Sequence, residues 1–364
     1  MENNHRLANK EIPMRRILKG DFIPVIGLAL LSAAAPGAIM AAPAAQWSVE
    51  QQWNVGGAGG WDYLTLDASG RRLFVSRATR VDVVSTESGK VIGTIPDTSG
   101  VHGIALAPDL KRGFTSNGKA DSVTVFDLDT LKTIKEVKVS GHNPDAILYE
   151  PKGKHIFTFN GRSKDVTVID AETLQIAATL PVPDKPEFAA DDGAGQIYAN
   201  IESDPGQMVV IDSRALTVKA TWPLPGCSSP SGLAIDRTQH RLFSVCDGKV
   251  MVVTDASTGK QVARVTVGEG PDAAAYDAKR GLVFSSNGEG TLTVVHQDTP
   301  DKYQVTNTLA TQRGARTMAL DSSSGKVYLV TSNFGPAPAP TPDQPHPRPS
   351  LIPDSFTILV VGAH

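Results

Sequence analysis

Residues 141–184 (GHNPDAILYEPKGKHIFTFNGRSKDVTVIDAETLQIAATLPVPD) carry four short apolar runs: DAILYE, HIFTFN, DVTVID and IAATLPV. Turn-forming residues part them at 151–153 (PKG), 160–161 (NG) and 170–173 (DAET). Runs of this length, rich in Ile, Val, Thr and Phe and bounded by Gly, Asn and Asp, predict strands joined by tight turns. A unit of about this length holding four strands is the mark of one propeller blade.

The unit recurs from residue 46 onward. Inner hairpin turns fall at 67–70, 108–110, 151–153, 191–193, 236–238, 277–281 and 321–325, which makes seven units at spacings of roughly forty residues. A strand led by an aromatic follows each turn, through Phe74, Phe114, Phe157, Tyr198, Phe243, Phe284 and Tyr328. A third run comes next: VDVVS, SVTVF, DVTVI, MVVID, VMVVT, LTVVH and FTILVV. Alternation within these runs is imperfect, as expected of sheets buried on both faces between neighbours. The seventh unit lacks a fourth strand, and residues 49–55 supply a strand pattern at the other end of the chain. The expected architecture is therefore an all-β, seven-bladed propeller with four-stranded blades. Its last blade is closed by the N-terminal strand of the mature chain, leaving only short, protected edges.

Composition suits this reading: Gly 33 and Pro 25 in 364 residues fit a turn-dense β protein. The 35 Lys+Arg against 38 Asp+Glu give a nearly neutral chain, which argues against a dedicated nucleic-acid surface. Upstream of the repeats, Arg15, Arg16 and Lys19 precede an apolar stretch over 22–42 that ends in Ala42-Pro43-Ala44. A basic region, an apolar region and a small-residue site predict a secretory signal over 1–44, cleaved after Ala44, with the propeller over 45–364. Pro24 and Pro36 argue against a permanent anchor, so no transmembrane helix is expected after cleavage. The leader implies export to the periplasm of a Gram-negative-type envelope, by the general or the twin-arginine route, and an oxidising compartment. A monomer is expected.

The second strands GFTSN (113–117), IFTFN (156–160) and VFSSN (283–287) resemble the YVTN-type repeat of bacterial propellers. The Pro-Asp pairs before Ala146 and Ala273, and the DxxT turns at 127–130 and 170–173, belong to the same pattern. The resemblance covers 46–364 and is to the YncE-like exported propellers. It implies the fold firmly; nucleic-acid binding is known among such relatives, but the near-neutral charge here speaks against it. The motif's Asn is replaced by Arg77, Ile201, Cys246 and Thr331 in the first, fourth, fifth and seventh units. Those blades are expected to differ at the ligand-binding end, with Arg77 as a candidate contact.

Two kinds of connection, fourth-to-first and second-to-third strand, share the face that carries the irregular loops, where binding usually resides. At the starts of the innermost strands stand Asp62, His102, Asp145, Glu187, Ser231, Asp272 and Arg316. Such a ring suits a small polar ligand. The acids Asp62, Asp145, Glu187 and Asp272 also suit a divalent cation, Ca²⁺ or Mg²⁺, whereas His102 and His142 would recruit a transition metal. The competing reading is that carboxylates at strand starts simply accept hydrogen bonds from neighbouring loop N–H groups. Asp127, Asp170, Asp212 and Asp255 recur at one place in the repeat and are expected to be turn-forming.

Cys227 and Cys246 both fall in the fifth unit, and folding its hairpin about Gln239 brings them together, so a disulfide is expected. Residues 334–354 break the repeat with a proline-rich insertion on the loop-rich face. It is expected to be an extended surface loop or a partner-docking arm that delivers His346 and Arg348 over the channel. No nucleophile elbow, phosphate loop, Cys-x-x-Cys or His-Glu-x-x-His motif is present. The sequence thus favours an exported, non-catalytic binding propeller for a small polar ligand or an envelope protein. The alternative is a divalent-metal-dependent lactonase, hydrolase or lyase built from one residue per blade.

Overall fold

The computed structural model describes residues 46–341, 347 and 349–364. The expected signal over 1–44, and His346 and Arg348 of the proline-rich insertion, lie outside the described residues. The described strands form seven antiparallel four-stranded sheets, and the only helical segment among the described residues is a 3-10 turn at Pro108–Leu110. No helix among the described residues is long and apolar enough to cross a membrane.

From the axis outward, the first blade runs Leu64–Leu66, Arg72–Arg77, Arg80–Ser85 and Val91–Ile95. The next five repeat this meander. The seventh is composite: Met318–Asp321, Lys326–Thr331 and Thr357–Ala363 come from the C-terminal part of the chain, and Trp47–Asn54 adds the outermost strand. That strand pairs antiparallel with Thr357–Ala363, placing Trp53 opposite Ile358 and Trp47 opposite Ala363. The ring is closed as the vacancy in the last repeat predicts.

Seven apolar clusters lie one at each boundary between adjacent blades. Strand Arg72–Arg77 shows why the alternation is blurred. Leu73 and Val75 pack towards the seventh blade, while Phe74, on the opposite face, packs towards the second. Because side chains alternate across a strand, a sheet sandwiched between two others needs apolar residues at both parities. The aromatics that lead the second strands are all buried and belong to this core.

The motif's Asn acts within the blade. Asn117 donates from Nδ2 to Thr124 Oγ1 at 2.8 Å, Asn160 to Thr167 Oγ1 at 2.8 Å and Asn287 to Thr293 Oγ1 at 3.1 Å. Each ties the second strand to the third, so the side chain is buried and satisfied. The turn aspartates behave as expected: Asp127 accepts from Thr130 N at 2.7 Å and Asp170 from Thr173 N at 2.7 Å. Asp212 and Asp255 accept in the same way from Ala215 N and Thr258 N.

Candidate functional site

The innermost strands are irregular where they begin. In the second to sixth blades their register with the second strand shifts between Val101/Ile104, Pro144/Ile147, Pro186/Ala189, Pro230/Leu233 and Pro271/Ala273. A bulge re-aims the side chain it carries, and His102, Asp145, Glu187, Ser231 and Asp272 occupy these five irregularities. In four of them a proline comes first, at Pro144, Pro186, Pro230 and Pro271. Its fixed φ and missing N–H suit the first residue of a strand.

The next element of the site is backbone-anchoring between blades. Ser116 donates its hydroxyl to the carbonyl of Asp145 and accepts from Gly103 N at 2.9 Å. Ser286 donates to the carbonyl of Arg316, Ser231 to that of Asp272 at 3.1 Å, and Asn200 Nδ2 to that of Ser231 at 2.9 Å. Gly232 permits close approach: a Cβ there would lie 2.7 Å from the carbonyl oxygen of Asp272. Hence the main chains of Asp145, Ser231, Asp272 and Arg316 are fixed, which leaves the side chains of Asp145, Asp272 and Arg316 available to the cup.

They meet in one cavity of about 870 Å³, lined by Asp62, His102, Asp145, Glu187, Ser231, Asp272 and Arg316 together. All seven positions expected at the inner rim are therefore brought together, one from each blade. Tyr63 of the first blade and Phe188 of the fourth stack with ring centroids 4.4 Å apart and give this cup an aromatic floor.

Within the cup the charges fall into three groups. His102 Nδ1 lies 2.6 Å from Asp62 Oδ2 and 3.7 Å from Asp145 Oδ1. Burial opposes charging of this imidazole, but the Asp62 hydrogen bond and the charges of Asp145 and Asp62 outweigh burial and raise its pKa. Asp145 is itself pushed up to about 6, by burial against the favourable His102 charge and with Asp62 adding repulsion. Across the cup, Arg316 Nη1 donates to Asp272 Oδ2 at 2.6 Å. Burial raises the Asp272 pKa although Arg316 counters it.

The third group adds Lys185 and Glu202 to the expected Glu187: Lys185 Nζ contacts both Glu187 Oε1 and Glu202 Oε2. Burial and then the Asp145 charge push Glu187 up to about 9, with Lys185 pulling the other way. Glu202 is held below its usual range because hydrogen bonds from Lys185 and Glu187 overcome its burial. Lys185 therefore bridges two carboxyl groups, of which Glu187 holds its proton more tightly than usual and Glu202 less tightly.

The four acids expected to hold a cation do not stand as one free set: Asp272 pairs with Arg316 and Glu187 with Lys185, while Asp62 and Asp145 flank His102. His142 does not join the cup either; it is exposed and pairs with Asp121 Oδ2 at 2.9 Å.

Arg77 is likewise not a cup residue. It is fully buried; its guanidinium donates to the carbonyls of Gly56, Gly57, Ala58 and Gly59 at 3.0–3.4 Å and stacks 3.6 Å from the Phe356 ring. It pins the glycine-rich loop that leads into Trp61, Asp62 and Tyr63. The expected binding role gives way to a structural one because both Nη groups are taken by loop carbonyls and the side chain is wholly buried.

The base of the proline-rich insertion borders the mouth. Phe334 and Leu351 form an antiparallel bridge, and Phe334, Pro349 and Leu351 line the cup. Phe334 is flanked by Trp61 at 6.2 Å between centroids and by the Arg313 guanidinium at 5.8 Å. The wall near the fifth blade is stapled by the Cys227–Cys246 disulfide, whose Cα atoms are 5.3 Å apart. Ser229 and Asp247, next to that staple in sequence, line the cup.

The family model "Lactonase, 7-bladed beta-propeller" matches residues 76–179, the end of the first blade through the third. Hydrazine synthase from Kuenenia stuttgartiensis is similar in structure, with a TM-score of 0.66 and 19% identity over 74% of this chain and 92% of that one. At that identity the likeness is one of fold. No curated protein matches the chain. The shared ground is the seven-bladed propeller.

Proposed function

We propose that this protein is an exported, YncE-like propeller that binds a small, densely polar ligand in the cup. The observation that carries the reading is the convergence of one rim side chain from each of seven blades on a single cavity. Cations and acids alternate there over an aromatic floor, the arrangement expected of a pocket that fixes a ligand by a few placed polar groups. A polyhydroxylated ring suits it: hydroxyls bridge acid and base, and the ring's apolar face rests on Tyr63 or Phe188. The leader over residues 1–44 and the disulfide support export.

Calorimetric titration with a panel of sugars, sugar acids and amino acids tests it. One class should bind with unit stoichiometry, and Arg316→Ala together with Asp145→Asn should abolish that binding. Failure of every class, in a protein shown to be folded, would overturn the reading.

A second reading, lactone hydrolysis in the same cup, is favoured by the family model that matches residues 76–179 and by the Asp62–His102 pair at 2.6 Å. In it His102, oriented by Asp62, takes the proton of the attacking water. Water adds to the lactone carbonyl, the ring C–O bond breaks, and the proton passes to the departing alkoxide. Acid release from simple lactones, lost in His102→Ala, is the measurement that decides between hydrolysis and binding alone.

A further inference from the structure

Three ligand atoms of the cup stand apart from the ion pairs that Lys185 and Arg316 make. The Nδ1 of His102 and one carboxylate oxygen each from Asp62 and Asp145 all lie within 4.8 Å of one another. They come from three consecutive blades, and two of the three main chains are pinned: Ser76 Oγ accepts from Asp62 N at 3.1 Å, and Ser116 donates to the Asp145 carbonyl. A second observation points to something bound at this place. The hydroxyl of Tyr63 is buried and makes no hydrogen bond. Tyr63 lines the same cavity as Asp62, His102 and Asp145. A buried hydroxyl without a partner costs stability unless a ligand or water completes it.

We propose that Asp62, His102 and Asp145 form a three-residue site for a divalent transition ion such as Zn²⁺, Mn²⁺ or Co²⁺, with the Tyr63 hydroxyl facing an oxygen ligand on its open side. One nitrogen and two hard oxygens suit the borderline ions, whereas Ca²⁺ wants six to eight oxygens. Two carboxylates balance the ion's charge, while Glu187 and Asp272 are already matched by Lys185 and Arg316. Three protein ligands leave a coordination position open, as in sites that bind water or substrate. The inference stands apart from the organic-ligand reading and survives its failure.

The full chain, stripped with a chelator and then titrated with Zn²⁺, Mn²⁺ and Co²⁺ separately, tests it by calorimetry and by the visible absorption of bound Co²⁺. One ion per chain is expected. His102→Ala and Asp145→Asn should each weaken binding at least about tenfold, whereas His142→Ala, outside the cup, should leave it unchanged. Circular dichroism of the metal-free variants checks that each is folded. Absence of binding to the folded wild type would overturn the site. So would binding that ignores both His102→Ala and Asp145→Asn, or Ca²⁺ competing equally with Zn²⁺.

Discussion

Tyr63 of the first blade and Phe188 of the fourth meet face to face, 4.4 Å between ring centroids and 25° between planes, on the propeller axis. Phe188 also packs against the clusters between the fourth and fifth and between the sixth and seventh blades, so it bridges opposite sides of the ring. Phe188→Ala should remove the floor and destabilise the fold by about 2–4 kcal/mol, from lost burial and lost ring pairing. Tyr63→Phe deletes only a hydroxyl without a hydrogen-bond partner and should be neutral or stabilising in the metal-free protein. Urea unfolding of both variants checks this; equal losses would show that the stack is not a packing element.

Arg77 carries the second prediction. Its guanidinium is wholly buried, engages four carbonyls of residues 56–59 and lies 3.5 Å from Asp82. Arg77→Ala leaves those carbonyls and part of the Asp82 charge uncompensated, and should cost roughly 3–5 kcal/mol. Arg77→Lys should recover little, because a point charge neither spans the four acceptors nor stacks flat on Phe356. Thermal unfolding of the two variants is the measurement. Full rescue by lysine would mean that charge alone matters at this position.

Much of this architecture is legible in the chain because each blade repeats one pattern under one physical demand. Turn chemistry at fixed spacing locates the hairpins, and the empty fourth-strand position of the last repeat identifies its partner at residues 47–54. The rim residues are legible too, since the repeat aligns Asp62 with His102, Asp145, Glu187, Ser231, Asp272 and Arg316. Alignment gives position, but not which opposite side chains touch. Five rim residues are followed by Gly103, Ala146, Gly232, Ala273 and Thr317, and two by Tyr63 and Phe188. That contrast of small and aromatic residues is the trace of the floor. It reads as a stacked pair only once the first and fourth blades are known to face each other. The pairing of Lys185 with Glu187 and Glu202 leaves no such trace, because it depends on how a long side chain folds back within one blade. Arg77 misleads for a related reason: a cation at a motif position looks exposed until the glycine loop that wraps it is seen.

The disulfide predicts a local effect. Cys227 and Cys246 are separated by 19 residues and staple one wall of the cup. Cys227→Ser/Cys246→Ser should lower stability by about 3 kcal/mol while leaving the ring closed, because neither residue takes part in the pairing of Trp47–Asn54 with Thr357–Ala363. Guanidinium unfolding with and without reductant checks this. Reductant should bring the wild type down to the variant and leave the variant unmoved; a wild type indifferent to reductant would contradict the assignment.

Glu187 sets a pH signature. Burial and the Asp145 charge hold its folded pKa at about 9, above the ordinary carboxyl value of 4.5. The folded protein therefore keeps a proton that the unfolded chain releases near pH 4.5. The stability this contributes is complete below that pH and is lost progressively as pH rises to about 9. Glu187→Gln mimics the protonated form and does not titrate, and Lys185 keeps its contact with Glu202. The melting temperature of the variant should therefore fall less steeply than that of the wild type between pH 5 and pH 9, roughly the window of the shift. Asp145, raised to about 6, and Asp272, also raised, add to the decline in both proteins and cancel from the difference to first order. Calorimetric melting of the pair at several pH values decides the matter. Parallel curves across this range would mean that Glu187 is ionised beside Lys185 throughout, making the corner an ion triad rather than a store for one proton.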